Sequence, residues 1–178
     1  MSVRLAAPGD EAALAEVAAL TFPLACPPTT TAEAAAAFIA EHLSEAAFAR
    51  YLADPERVLV VEDAGDGGPL RGYTMLVRTE SRDPDVQAAV RIRPTAELSK
   101  IYVRPDDHGR GTAAALLQRT LDEARAGGAA GVWLGTNQAN ARAIRFYEKH
   151  GFEKVGSKRF KLGDGYEDDF VLERALAL

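Results

Sequence analysis

The chain has 178 residues, 47% hydrophobic and 26% charged, with a formal charge of -5. That profile suits one soluble globular domain over residues 1–178 and argues against a disordered chain or a spanning segment of ~20 apolar residues. Net acidity disfavours nucleic acid held on a basic surface and keeps a cationic substrate in view; a single cysteine, Cys26, and an amino terminus without an apolar stretch point to the cytoplasm and no membrane partner.

SVRLA reads as a short strand ending at Pro8-Gly9, followed by a helix to about Leu20 with Asp10 as candidate N-cap. TFPLACPPTTT interrupts helical periodicity, which resumes from Glu33 to Tyr51. VLVVED and LRGYTMLVRTE are strand-like and separated by AGDGGP, a hairpin signal that predicts antiparallel pairing. SRDPDVQAAVRIRP reads as an exposed connector. ELSKIYV is a strand, and a glycine turn leads from it into a helix that ends near Arg125 at AGGAAG. VWLGT is a buried strand, NARAIRFYEKHGF a short helix closed by Gly151, and FEKVGSKRFKL and YEDDFVLERAL two strands around GDG. The fold class is α/β (α+β), a mixed and largely antiparallel sheet with one strand-helix-strand unit in its middle.

The turn RPDDHGRGTAAALL, residues 104–117, carries the first chemical question. Gly109, Gly111 and Ala114 satisfy G-x-G-x-x-G/A, the dinucleotide fingerprint, but Arg104 to His108 separate the strand from the first glycine, and VWLGTN supplies no acid for a ribose. A Walker sequence is absent. What remains is general physics: amides freed at a helix start point outward together, and glycines let an anion approach. A turn shaped by glycines for its own sake is the competing reading.

V-x-P-x-x-H-G-R-G-T-A, ending at Ala113, followed by N-x-x-A-I-x-F-Y-E-K-x-G-F from Asn140 to Phe152, resembles the acetyl-coenzyme A core of the GNAT N-acetyltransferases. Within that superfamily the chain looks most like the PaiA-type spermine/spermidine acetyltransferases. The superfamily pattern Gln/Arg-x-x-Gly-x-Gly/Ala falls on His108-x-x-Gly111-x-Ala113, with His108 departing from the usual first residue and Thr112 replacing the common aliphatic one.

The resemblance implies a GNAT fold, a mixed mostly antiparallel sheet flanked by helices and splayed between strands 4 and 5, with acetyl-CoA as cosubstrate. Its pantetheine arm would run along the backbone of Ile101, Tyr102 and Val103. Its pyrophosphate would meet His108, Gly109, Arg110, Gly111, Thr112 and Ala113, and Lys149 joins this coenzyme-binding set. Asn140 and Tyr147 are seven residues apart, on nearly one helix face; the resemblance has Asn140 bond the arm and Tyr147 aim its hydroxyl at the thioester sulfur. An N-cap and a core aromatic are their ordinary alternatives. Glu97 lies six residues before Val103, on the same face by strand alternation, and matches the place of a general-base glutamate in some members of the superfamily; a solvated strand-start residue is the alternative. His42, His108 and His150 are too scattered for a metal motif, and no metal is expected. Glu33, Glu41, Glu45 and the run Glu167-Asp168-Asp169 are candidates for attracting a cation.

The expected reaction is acetyl transfer from acetyl-CoA to a primary amine, a polyamine or similar small cation, by direct attack in a ternary complex. A protein N-terminal or lysine acetyltransferase and a non-catalytic acyl-CoA sensor are the rivals. Monomer and homodimer both remain open.

Overall fold

Alternating apolar residues and glycine turns set out the strands. In the computed structural model, which describes residues 2–65 and 67–177, β1 (Ser2–Leu5), β2 (Arg57–Asp63), β3 (Leu70–Val77) and β4 (Thr95–Val103) pair antiparallel in succession. The hairpin turn expected between β2 and β3 is closed by the Ala64 amide donating to the Pro69 carbonyl at 3.2 Å; Asp66 within it lies outside the described residues. β5 (Gly131–Asn137) runs parallel to β4, β7 (Gly165–Ala175) is antiparallel to β5, and β6 (Glu153–Leu162) is the edge. The sheet order is therefore β1-β2-β3-β4-β5-β7-β6.

The sheet opens in the middle. Only Thr95–Gly131, Ala96–Val132 and Glu97–Trp133 pair β4 with β5. Beyond them, from Leu98 to Val103, β4 keeps β3 on one side and loses β5 on the other, while Leu134–Asn137 pair with β7 alone. This wedge is the expected splay.

A bulge in β4 decides which side chains face it. Met75 pairs with Lys100 and Leu76 with Leu98, so Ser99 has no partner and the alternation shifts by one. Ala96 and Leu98, then Ile101 and Val103, pack with the core under α5 (Thr112–Ala126). Tyr102 belongs to the opposite core, beneath α1 (Glu11–Ala25) and α2 (Ala32–His42), and the Lys100 ammonium lies 5.7 Å from the Phe38 ring on that side. Glu97 and Val103 consequently do not share a face, contrary to simple counting; Glu97 stands with Lys100.

The helices depart from the sequence pattern in three places. α1 continues through Pro23 to Ala25, because Thr21 and Phe22 are buried and Phe22 stacks on Phe38 at 4.6 Å between ring centroids; the loss of one amide at Pro23, ordinarily worth ~3 kcal/mol, is outweighed by that packing. Asp10 precedes α1 but makes no cap hydrogen bond; its carboxylate is taken by Arg4 at 2.8 Å. The helical stretch after Thr31 is two helices, α2 and α3 (Glu45–Ala53), split where the Ser44 hydroxyl accepts from the Ala47 amide. The third departure is α4 (Pro84–Ala89), inside the stretch read as a connector: Asp83 caps it, and Val86, Ala89 and Val90 pack on Trp133 and Val171. α6 (Ala141–Lys149) precedes β6 as expected, and Gly151 at φ 87° reverses the chain after it.

Candidate active site

At the end of β4 the chain makes one short helical turn, Pro105–Asp107, then passes Gly109 at φ 79° and Gly111 at φ 83° into α5. These left-handed angles favour glycine, and a Cβ on either residue would meet no protein atom within 4 Å. The Ala115 amide is the first of the helix to find a partner, the Gly111 carbonyl. Among the described residues the amides of Gly109 to Ala114 therefore have no partner, and the buried Thr112 hydroxyl has none either. Six free N–H groups and a hydroxyl at the positive end of a helix suit a phosphate, and a side chain at either glycine would project into open space beside them. The residues present fit a coenzyme diphosphate.

A cleft of about 520 Å³ extends from this turn along the open side of β4, past Ile101, Tyr102 and Val103, to Asn140, Tyr147 and Lys149 on α6. His108, Gly109, Gly111, Thr112 and Ala113 line it as well. Arg110 is exposed and lines it nowhere, so its amide alone belongs to the cradle. His108 does not point a free donor at the phosphate position. Its Nδ1 receives a hydrogen bond from Arg142 at 3.1 Å, and its Nε2 lies 3.0 Å from the Val103 carbonyl. Arginine only donates and a carbonyl only accepts, which makes His108 the Nε2–H tautomer, tying the end of β4 to Arg142. Arg142, missed in the sequence because no motif position marks it, is the cation this arrangement turns toward the cleft.

Across the wedge, on the α1–α2 side, a second cavity of about 230 Å³ is lined by Glu97, Lys100, Lys158, Glu167 and Asp169, with Phe22, Phe38 and Phe160 among the apolar walls. It meets the first cleft at Ile101, Tyr102, Asn140, Ala143 and Tyr147, which line both. Asn140 is the N-cap of α6, its Oδ1 accepting from the Ala143 amide at 3.1 Å. The cap and the cleft wall are thus one residue, with Nδ2 left to donate. Tyr147 is 9% exposed, and its hydroxyl has no hydrogen-bond partner among the described residues. Burial raises its phenol well above the usual value, with Tyr102 adding to the rise, so the group stays protonated.

The titrating groups of the second cavity are displaced by desolvation. Burial raises the Glu97 carboxyl against the pull of Lys158, Lys100 and Arg57. Burial pushes Lys100 down to about 8, opposed by Glu97 and reinforced by Arg57. Asp169 is pushed up to about 6 by burial, with Lys158 opposing. Gly135 on β5 makes room for it: a Cβ there would lie 3.3 Å from an Asp169 carboxylate oxygen and 3.3 Å from Lys158 Cδ. Lys100 is a functional candidate that sequence reading missed, because the bulge is silent in the sequence; of the run Glu167-Asp168-Asp169, read as a candidate for attracting a cation, Glu167 and Asp169 line this cavity and Asp168 does not. Glu33, Glu41 and Glu45 line neither cavity. Cys26 lines the second, and burial raises its thiol, away from a nucleophilic thiolate. Among the described residues no three His, Cys, Asp or Glu side chains gather as a metal site, and no helix is long and apolar enough to cross a membrane.

A model of the Acetyltransferase (GNAT) family matches residues 24–152. An uncharacterised N-acetyltransferase of Mycobacterium tuberculosis is 46% identical over 167 residues, covering 94% of this chain and 98% of its own. The [Ribosomal protein bS18]-alanine N-acetyltransferase of Escherichia coli is 34% identical over 85 residues, 47% of this chain and 57% of its own. Among solved structures, the PaiA N-acetyltransferase of Thermoplasma acidophilum in complex with coenzyme A superposes with a TM-score of 0.73 at 20% identity, covering 98% of this chain and 99% of that one.

Proposed function

The chain belongs to the GNAT acetyltransferase family, and on that premise we propose that it moves an acetyl group from acetyl-CoA to a primary amine by direct attack in a ternary complex. The observation that carries this reading is the meeting of the two cavities at Asn140 and Tyr147: a cradle fit for a diphosphate ends one, unpaired charge fills the other, and the wedge joins them. Acetyl-CoA supplies an activated acyl group with a thiol leaving group. The amides of Gly109 to Ala113, the Thr112 hydroxyl and Arg142 hold the diphosphate, Lys149 contributes charge at the cleft rim, and the open backbone of Ile101, Tyr102 and Val103 takes the arm as a sheet takes an added strand. Asn140 orients the arm through Nδ2.

An alkylammonium has a pKa near ~10.4 and must lose a proton before it attacks. Glu97 is the proposed acceptor of that proton; its raised carboxyl narrows the gap to the amine, and Asp169 offers a second carboxylate in the same cavity. Tyr147 is the proposed donor to the departing sulfur. Direct attack is supported by the state of Cys26, whose thiol is driven toward its neutral form. A polyamine fits the cavity acids but not Lys100 and Lys158 beside them. A protein amine is the second reading; the E. coli relative named above acts by its name on an alanine of a ribosomal protein.

The test pairs calorimetric titration of acetyl-CoA with an amine panel read by mass spectrometry. Tyr147→Phe should lower kcat by ~10²- to 10⁴-fold with coenzyme affinity kept. Coenzyme uptake without acetylation of any amine, the same in a Tyr147→Phe/Glu97→Gln double variant, would show a sensor instead.

A further inference from the structure

The second cavity holds charge of both signs, and no direct ion pair joins those charges among the described residues. Lys158 donates to the Arg159 carbonyl at 3.5 Å and lies 5.7 Å from the Phe160 ring centroid, and Glu167 accepts from the Thr29 hydroxyl at 3.1 Å. Among the described residues Glu97, Lys100 and Asp169 have no side-chain hydrogen-bond partner, and none of the five enters an ion pair with another. Desolvated charges left apart in this way are unfavourable until a ligand brings the missing partners.

The two lysines are not equivalent. Lys158 feels two acids, Glu97 and Asp169. Lys100 has Glu97 alone, is repelled by Arg57, and has lost much of its hold on its proton. It is the cation that gains most from an incoming anion, whereas a polycation would deepen its isolation. The bulge at Ser99 builds this arrangement, since it turns Lys100 onto the face of Glu97 and Tyr102.

Resting on the acetyl-transfer reading above, we propose that the acceptor is a small amino-acid-type zwitterion, one molecule bearing a primary amine and a carboxylate, with Lys100 holding the carboxylate and the cavity acids receiving the ammonium. The stacked rings of Phe22 and Phe38 beside Lys100 offer its carbon skeleton an apolar wall.

Matched triplets sharing one skeleton test this: the free amino acid, its carboxamide and the decarboxylated amine, assayed for acetyl-CoA-dependent acetylation alongside spermidine and a peptide with a free amino terminus. The parent enzyme should prefer the amino acid by at least ~10-fold in kcat/KM, as a charge-assisted contact predicts. Lys100→Met should collapse that ratio through KM of the carboxylated acceptor, and Lys100→Arg should restore part of it; thermal melting verifies that both variants fold. Equal or better use of the carboxamide, the decarboxylated amine, spermidine or the peptide, or a ratio unmoved in Lys100→Met, overturns the proposal and leaves acetyl transfer standing. Acetylation of none of these while acetyl-CoA still binds overturns the proposal and acetyl transfer together.

Discussion

Asn140 and Tyr147 stand in the wall common to both cavities, so each of the two side chains faces both spaces. Both were legible in the sequence, because a spacing of seven on a helix survives folding unchanged. Glu97 was legible as a residue but not as a direction: counting by two from Val103 fails across the Ser99 bulge, which no residue type announces. Lys100 and Arg142 were not legible, since their significance comes from strands and helices far apart in the chain, and Asp169 was legible only as one member of a charged run. Proton acceptance divides these residues experimentally. Glu97→Gln should reduce kcat by ~10²- to 10⁴-fold and remove the acid limb of the kcat/KM profile; a limb near pH 6 that survives in Glu97→Gln and vanishes in Asp169→Asn moves the base to Asp169. Asp169 also links stability to pH. Its folded-state pKa is raised above the unfolded value, so the stability it contributes is present below about pH 4 and is lost as pH rises through about 6. Melting curves of Asp169→Asn should accordingly gain on the parent between those values.

Elements were read best where local chemistry is strong. The strands bounded by glycine turns and the two site helices lie where periodicity puts them, whereas α1 outruns its predicted end because burial of Phe22 overrides Pro23. α4 was missed since six residues hold too little periodicity to register, although Asp83-Pro84 is a cap followed by a proline at the first helical position. The α2–α3 division turns on one hydroxyl. Ser44→Ala should cost about 1 kcal/mol in chemical denaturation, with the Tyr51 hydroxyl still closing the end of α2 on the His42 carbonyl. At the start of α5 a backbone strain test is available: Gly111→Ala puts a side chain at φ 83°, costing ~1–2 kcal/mol. Its methyl also enters the cradle, and coenzyme affinity measured by calorimetry should fall with it.

At the scale of the molecule, the alternation of elements implies a mixed sheet, and the family resemblance adds the splay. The extent of that splay could not be read from β-propensity, because ELSKIYV looks equally suited to a strand paired on both sides. The wedge also ties ligand to fold. A coenzyme that binds only the folded chain should raise its stability by about 2.7 kcal/mol at 100 times Kd, seen as a rising melting temperature. An unmoved melting temperature at saturating coenzyme A would contradict the cradle.

The unpaired flank of Leu98 to Val103 has one more consequence. In the free enzyme the amides there that point away from β3 have no strand partner in the middle of a sheet, a place where deuterium normally enters last. They should label early, and slow only when a ligand arm lies down beside them. The interior of the molecule thereby carries its own occupancy gauge, readable peptide by peptide without any turnover.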